Sequence, residues 1–118
     1  MRRGFSVLSL CLCMGVLGAE KTKPAFYDVP AIEKRAENGD AWAQGMLGWM
    51  YDTGNGVAEN DKEAVKWFWR AAKQGDALAQ RNLGSMYMKG GDIPVNFVTA
   101  YAWFKIAISN GNESAGEL

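Results

Sequence analysis

Residues that commonly do chemistry are scarce in this sequence. It has no histidine, which removes the usual general base and the commonest metal ligand. Its two cysteines, Cys11 and Cys13, both fall in an N-terminal apolar run. Ser85 and Lys89 stand one helical turn apart, a spacing at which an amine could take a hydroxyl proton, yet no third group orients them, and Ser114 has no base partner at all. Glu59, Asp61 and Glu63 cluster at a turn and a helix start, where capping and the positive end of the helix dipole account for carboxylates. The glycines of "GNG" (54–56) and "KGG" (89–91) lack the strand, helix and lysine order of a phosphate loop. The sequence offers no catalytic residues, no metal ligands and no cofactor site.

The elements that could position a binding surface begin after residue 19. The start, "MRRGFSVLSLCLCMGVLGAE", has a basic end at Arg2 and Arg3, an apolar run from Phe5 to Leu17, and small residues at Gly18 and Ala19, the form of a cleavable signal peptide over residues 1–19. The run is short for a membrane span, so no stable membrane insertion is expected after cleavage. Neither cysteine stands where a lipoprotein signal needs it, and cleavage removes both, leaving a chain without thiol or disulfide chemistry. Cleavage also takes two of the thirteen basic residues and none of the thirteen acidic ones, so the remainder is slightly acidic. Its charges are interspersed, which argues against nucleic acid as a partner.

A repeat organises the rest. Sliding residues 39–74 onto 75–110 matches fifteen of thirty-six positions, among them Gln44 with Gln80, Leu47 with Leu83, Gly48 with Gly84, Tyr51 with Tyr87 and Phe68 with Phe104. Each unit reads as two helices. Asp40 caps the first, which lays Ala43, Leu47, Met50 and Tyr51 on one stripe and ends at Gly54 and Gly56. Asn60 and Glu63 have the form of a capping box opening the second, which carries Ala64, Trp67, Phe68 and Ala71 inward and stops at Gly75. Ala43 and Gly48 are small so that helices approach closely, and one hairpin stacks on the next because it cannot bury its apolar face alone. In the second unit Thr99 replaces Glu63, which removes the box, and Asp92 replaces Gly56 in a left-handed turn position. The expected architecture is all-α, an α/α solenoid of antiparallel hairpins. It comprises a segment 20–38 with a partial repeat helix, repeat 1 at 39–74, repeat 2 at 75–110 and a short tail at 111–118. Two units are a short array, so the last unit's apolar flank is expected either to continue into missing repeats or to be covered by a partner.

The pattern "AQxxLGxMYxxGxGV" followed by "AxxWFxxAAxxG" resembles the Sel-one-like repeat, a relative of the tetratricopeptide repeat, over roughly residues 31–111. In tetratricopeptide arrays the first helices line a concave surface that holds a partner segment. Carried onto this sequence, the resemblance implies a surface of Trp42, Trp49, Asp52, Arg81, Ser85, Met88 and Lys89. Trp42 and Trp49 break the repeat, their counterparts being Leu78 and Ser85. They read either as an apolar platform for a peptide, with Arg81 and Lys89 for a carboxylate, or as packing against Phe26, Tyr27 and Ile32. Trp69 is expected to be exposed or half-covered, and the aromatics of "YAWF" (101–104) to be core.

The resemblance implies a non-enzymatic scaffold for a protein or peptide partner, exported to the bacterial periplasm or secreted. Two alternatives stand beside it. One is a weak β-lactam-binding or β-lactam-hydrolysing enzyme, as in a cysteine-rich branch of the family, although this chain lacks that branch's cysteines. The other is a truncated fragment without an independent role.

Overall fold

The computed structural model describes residues 27–111, and over these the chain is a succession of paired helices with no strand. The expected signal peptide, Phe26 and residues 112–118 lie outside the described residues. Five helices follow in order: α1 (Val29–Glu37), α2 (Ala41–Thr53), α3 (Asp61–Lys73), α4 (Ala77–Lys89) and α5 (Phe97–Ser109). α2 pairs with α3 and α4 with α5 as hairpins, while α1 packs on α2 and α3 on α4 at the junctions between them.

Every helix opens on a polar cap, as the sequence requires. The Asp40 carboxylate accepts from the Ala43 amide at 3.1 Å, and Asp76 accepts from Leu78 and Ala79. Asn60 and Asn96 accept from the amides of Glu63 and Thr99 at 3.1 and 3.0 Å. The reciprocal arm of the expected capping box is absent. The Asn60 amide instead donates to the Tyr51 carbonyl of the preceding helix, and the Asn96 amide to that of Tyr87, both at 2.9 Å. Glu63 is left to pair with Lys66, so Thr99 removes no capping bond that the first unit makes. The turn also differs from expectation. Gly54 and Gly56 have φ of 75° and 86°, but in the second unit the positive φ values fall on Gly90 and Gly91, and no described non-glycine residue, Asp92 included, is left-handed.

Small residues set how close the helices come. A Cβ on Gly48 would stand 2.6 Å from the Phe68 ring, and one on Gly84 would stand 2.8 Å from the Phe104 ring and 3.1 Å from the Ala100 carbonyl oxygen. Each glycine is therefore the seat of its hairpin's buried phenylalanine. Leu47, Met50, Ala64, Trp67, Phe68, Leu83, Met86 and Phe104 are all buried around these contacts. "YAWF" splits: Phe104 is buried and Trp103 packs against the core, but Tyr101, expected inside, is exposed. It occupies the register position of Val65, which one repeat earlier packs against the core of the following unit.

The repeated "AQ" dipeptide fastens one hairpin to the next. Gln44 and Gln80 are the two buried polar side chains among the described residues. Each donates its amide to a carbonyl of the preceding helix, Gln44 to Ala36 and Gln80 to Ala72, both at 3.0 Å. Each also accepts from the amide just past its own hairpin, Gln74 at 2.9 Å and Asn110 at 2.8 Å. The alanines make the approach possible, and the glutamines fix its register by leaving no buried polar atom of theirs unpaired.

Candidate functional site

α2 presents two stripes. Ala43, Leu47 and Met50 face the core, while Trp42, Gly45, Met46 and Trp49, spaced by one helical turn, face outward toward α4. Together with Tyr27 before α1, and with Asp76, Leu78, Ala79 and Asn82 at the start of α4, they line an open cleft of about 190 Å³. Gly45 lets α4 come near: its missing side chain faces the Asp76 carboxylate at 3.7 Å.

The cleft is apolar with a charged edge. Trp42 is 49% exposed and Leu78 57%, both more than a stable core would leave to water. The Arg35 guanidinium lies 5.1 Å over the Trp42 ring and donates through Nε to Asp40 at 3.0 Å, so the ring's orientation is set by a cation held in turn by a helix cap. The Asp40 carboxyl is held below its ordinary value of 3.8 by the Ala43 amide first and the Arg35 bond second. Asp76 supplies negative charge at the far wall, with its lone pairs partly engaged by the α4 amides.

The seven residues expected on this surface separate into three groups. Trp42 and Trp49 come together in the cleft. Trp49 also packs against both neighbouring core clusters, one of them containing Ile32, so its ring is held by the core while one side of it lines the cleft. Asp52 and Lys89 meet each other, Oδ1 to Nζ at 3.0 Å, across the last turns of α2 and α4. That bond raises the Lys89 pKa above 10.5. An amine so engaged is a poor base for Ser85 and is already satisfied as a partner for an incoming carboxylate. Arg81, Ser85 and Met88 are not among the cleft's lining residues, and the Arg81 guanidinium donates to Asn82 at 3.3 Å.

Tyr27 was expected only as a packing partner of the tryptophans, and Gly45, Met46, Asp76, Leu78, Ala79 and Asn82 were not expected on the surface from the sequence. A signal existed for two of them: Leu78 is the counterpart of Trp42, and Asn82 of Met46, one repeat on. Other chemically suggestive residues have structural partners. Asp61 accepts from the Asp92 amide at 3.4 Å, and Trp69 meets the Trp103 ring edge-on with centroids 6.0 Å apart, a contact between units. Among the described residues no three potential metal ligands cluster, and no helix is long and apolar enough to cross a membrane.

Comparison with known proteins gives the same architecture. Residues 43–76 and 77–112 each match the family described as Sel1 repeat. The chain superposes with a TM-score of 0.70 on the Sel1 repeat protein from Oxalobacter formigenes, 40% identical, covering 73% of this chain and 25% of that one. It superposes at 0.71 on c5321, a protective antigen present in uropathogenic Escherichia coli strains displaying an SLR fold, 36% identical, covering 75% of this chain and 19% of that one. The chain thus spans a quarter or less of the length of these solved structures. No curated protein matches it.

Proposed function

The chain belongs to the Sel1 repeat family, whose repeats generally mediate protein–protein interaction, and from that premise we propose that it is a non-enzymatic scaffold gripping an extended peptide segment in the cleft between α2 and α4. One observation carries the reading: Trp42, Trp49, Met46, Leu78 and Tyr27 converge on one open, apolar cleft although the hairpins on either side already have filled cores. A half-exposed tryptophan steadied by Arg35 is the kind of rigid anchor site that contributes most of the energy in small interfaces. Asp76 at the far wall favours a segment with a basic residue next to its apolar one.

The absence of histidine and the engagement of Lys89 by Asp52 support a binding role over a catalytic one. The N-terminal sequence supports export to the periplasm or beyond the cell. Cell fractionation with N-terminal sequencing of the isolated protein tests export, which requires a new N-terminus near residue 20. The cleft is tested by selecting peptides from a display library on the wild-type chain and measuring them on Trp42→Ala. Peptides that bind the variant as tightly as wild type contradict the assignment.

A further inference from the structure

α5 carries an apolar face that the cleft does not use. Only Lys105 is charged among its thirteen residues, whereas α3, its counterpart one repeat earlier, holds Asp61, Lys62, Glu63, Lys66, Arg70 and Lys73. Phe97, Val98, Tyr101 and Ile108 fall with Lys105 on one stripe at helical spacing. They are 67%, 81%, 64% and 44% exposed.

The molecule itself indicates the use of such a stripe. One repeat earlier, the positions of Phe97, Tyr101, Lys105 and Ile108 are Asp61, Val65, Trp69 and Ala72, and each of these touches the following unit. Asp61 receives the Asp92 amide, Val65 packs against the cluster containing Leu83 and Met86, Trp69 meets Trp103, and the Ala72 carbonyl accepts from Gln80. Lys62, the counterpart of Val98, is exposed, so the stacking face of α5 runs through Phe97, Tyr101, Lys105 and Ile108 with Val98 at its rim, bare among the described residues and more apolar than its covered equivalent.

Two features decide what covers it. Both internal junctions are made on an alanine, Ala36 or Ala72, small enough for the next helix to bring its glutamine to the alanine carbonyl. At that position α5 has the β-branched Ile108, which holds an incoming helix too far away for the same latch. The α1 face fits less well, because it exposes Lys34, Arg35 and Glu37, and laying three charges on an aliphatic stripe strips them of water when its one ammonium, Lys105, could partner Glu37 alone. A second α5 does fit. The stripe holds no acid, and its one ammonium lies 5.7 Å over the Tyr101 ring of the same helix, leaving aliphatic and aromatic surface to meet its like about a two-fold axis.

We propose that α5 is a self-association face, through which two copies of this chain pair as an isologous dimer. Covering both stripes removes on the order of 1,000 Å² from water, the lower end of specific interfaces, which fits a reversible dimer of roughly micromolar Kd.

Sedimentation equilibrium of the full 118-residue chain tests this, with Tyr101→Glu and Val98→Glu/Tyr101→Glu as variants. Both positions are exposed; a carboxylate at 98 lies in the first turn of α5 and suits the positive end of the helix, and one at 101 stands four residues before Lys105, so the variants keep their helical circular dichroism. The expected result is a concentration-dependent doubling of mass for wild type, association weakened at least about tenfold by the single variant, and a monomer for the double variant. A wild type that stays monomeric up to roughly a hundred times the expected Kd overturns the proposal. So does a dimer that the folded variants retain. A monomeric wild type that co-sediments with phosphatidylglycerol vesicles also overturns it, and assigns the face to a lipid surface.

Discussion

Two glycines three residues apart on α2 should respond to the same substitution with opposite signs. Gly45 and Gly48 both sit in the helix interior, where replacing glycine by alanine gains about 0.5–1 kcal/mol from backbone entropy alone. At Gly45 the new Cβ has ordinary contact with Asp76 Oδ2 at 3.7 Å and nothing closer, so the gain is kept. At Gly48 it would stand 2.6, 2.8 and 2.9 Å from three carbons of the Phe68 ring, and that ring is 1% exposed, with no free space to move into. Overpacking costs about 1–3 kcal/mol, and three contacts this short put Gly48→Ala in the upper part of that range, about 2–3 kcal/mol, which leaves a net loss of about 1–2 kcal/mol after an entropic gain of up to about 1 kcal/mol. For a chain of this size each kcal/mol moves the melting temperature by roughly 4–8 °C. Thermal unfolding followed by circular dichroism should place Gly45→Ala a few degrees above wild type and Gly48→Ala roughly 5–15 °C below it. Because the helix-propensity change is common to both, their difference isolates the Phe68 contact. If the two variants melt within a degree or two of each other, glycine at 48 is not set by packing, and the account of the hairpin fails.

Other outcomes follow from the same contacts. Gln80→Leu strips the Ala72 carbonyl and the Asn110 amide of their buried partner, and urea unfolding should register a loss of about 2 kcal/mol. Trp42→Ala should cost under about 1 kcal/mol in the same assay, since the ring is half exposed, while lowering the affinity of a selected peptide at least about tenfold. The Asp52–Lys89 pair should contribute less than about 1 kcal/mol, because both ends are partly solvated. Lys89 has a raised pKa in the folded chain, so its contribution is fully present below 10.5 and fades as pH rises through the higher folded value; urea midpoints measured across that window should show the fade in wild type and not in Asp52→Asn. A chromogenic lactam incubated with the purified chain should show no turnover above buffer, and clear turnover would replace the scaffold reading with an enzymatic one.

Most of the fold is written in the sequence because packing repeats. Gly48 and Gly84 pair with Phe68 and Phe104 at a fixed spacing, and the caps Asp40, Asn60, Asp76 and Asn96 mark each helix start. Contacts between helices were less legible than caps. The Asn60 amide finding Tyr51 instead of Glu63, and the double role of Gln44, depend on how packed helices approach each other, which no single helix's pattern records. The cleft was half legible for the same reason. Trp42 and Trp49 break the repeat visibly, but Leu78 and Asn82 join them only because α4 turns its first two turns toward α2. Arg81 and Met88 fall on another flank of that helix, a difference of phase that residue type alone does not reveal.

The tryptophan side chains offer the most direct reading of the central claim. In a titration with a display-selected peptide, the indole N–H resonances of Trp42 and Trp49 should shift progressively while those of Trp69 and Trp103, on the far helices, stay in place. Shifts confined to Trp69 and Trp103, with Trp42 and Trp49 unmoved, would show that partners dock on the outer helices and that the cleft between α2 and α4 is not the binding surface.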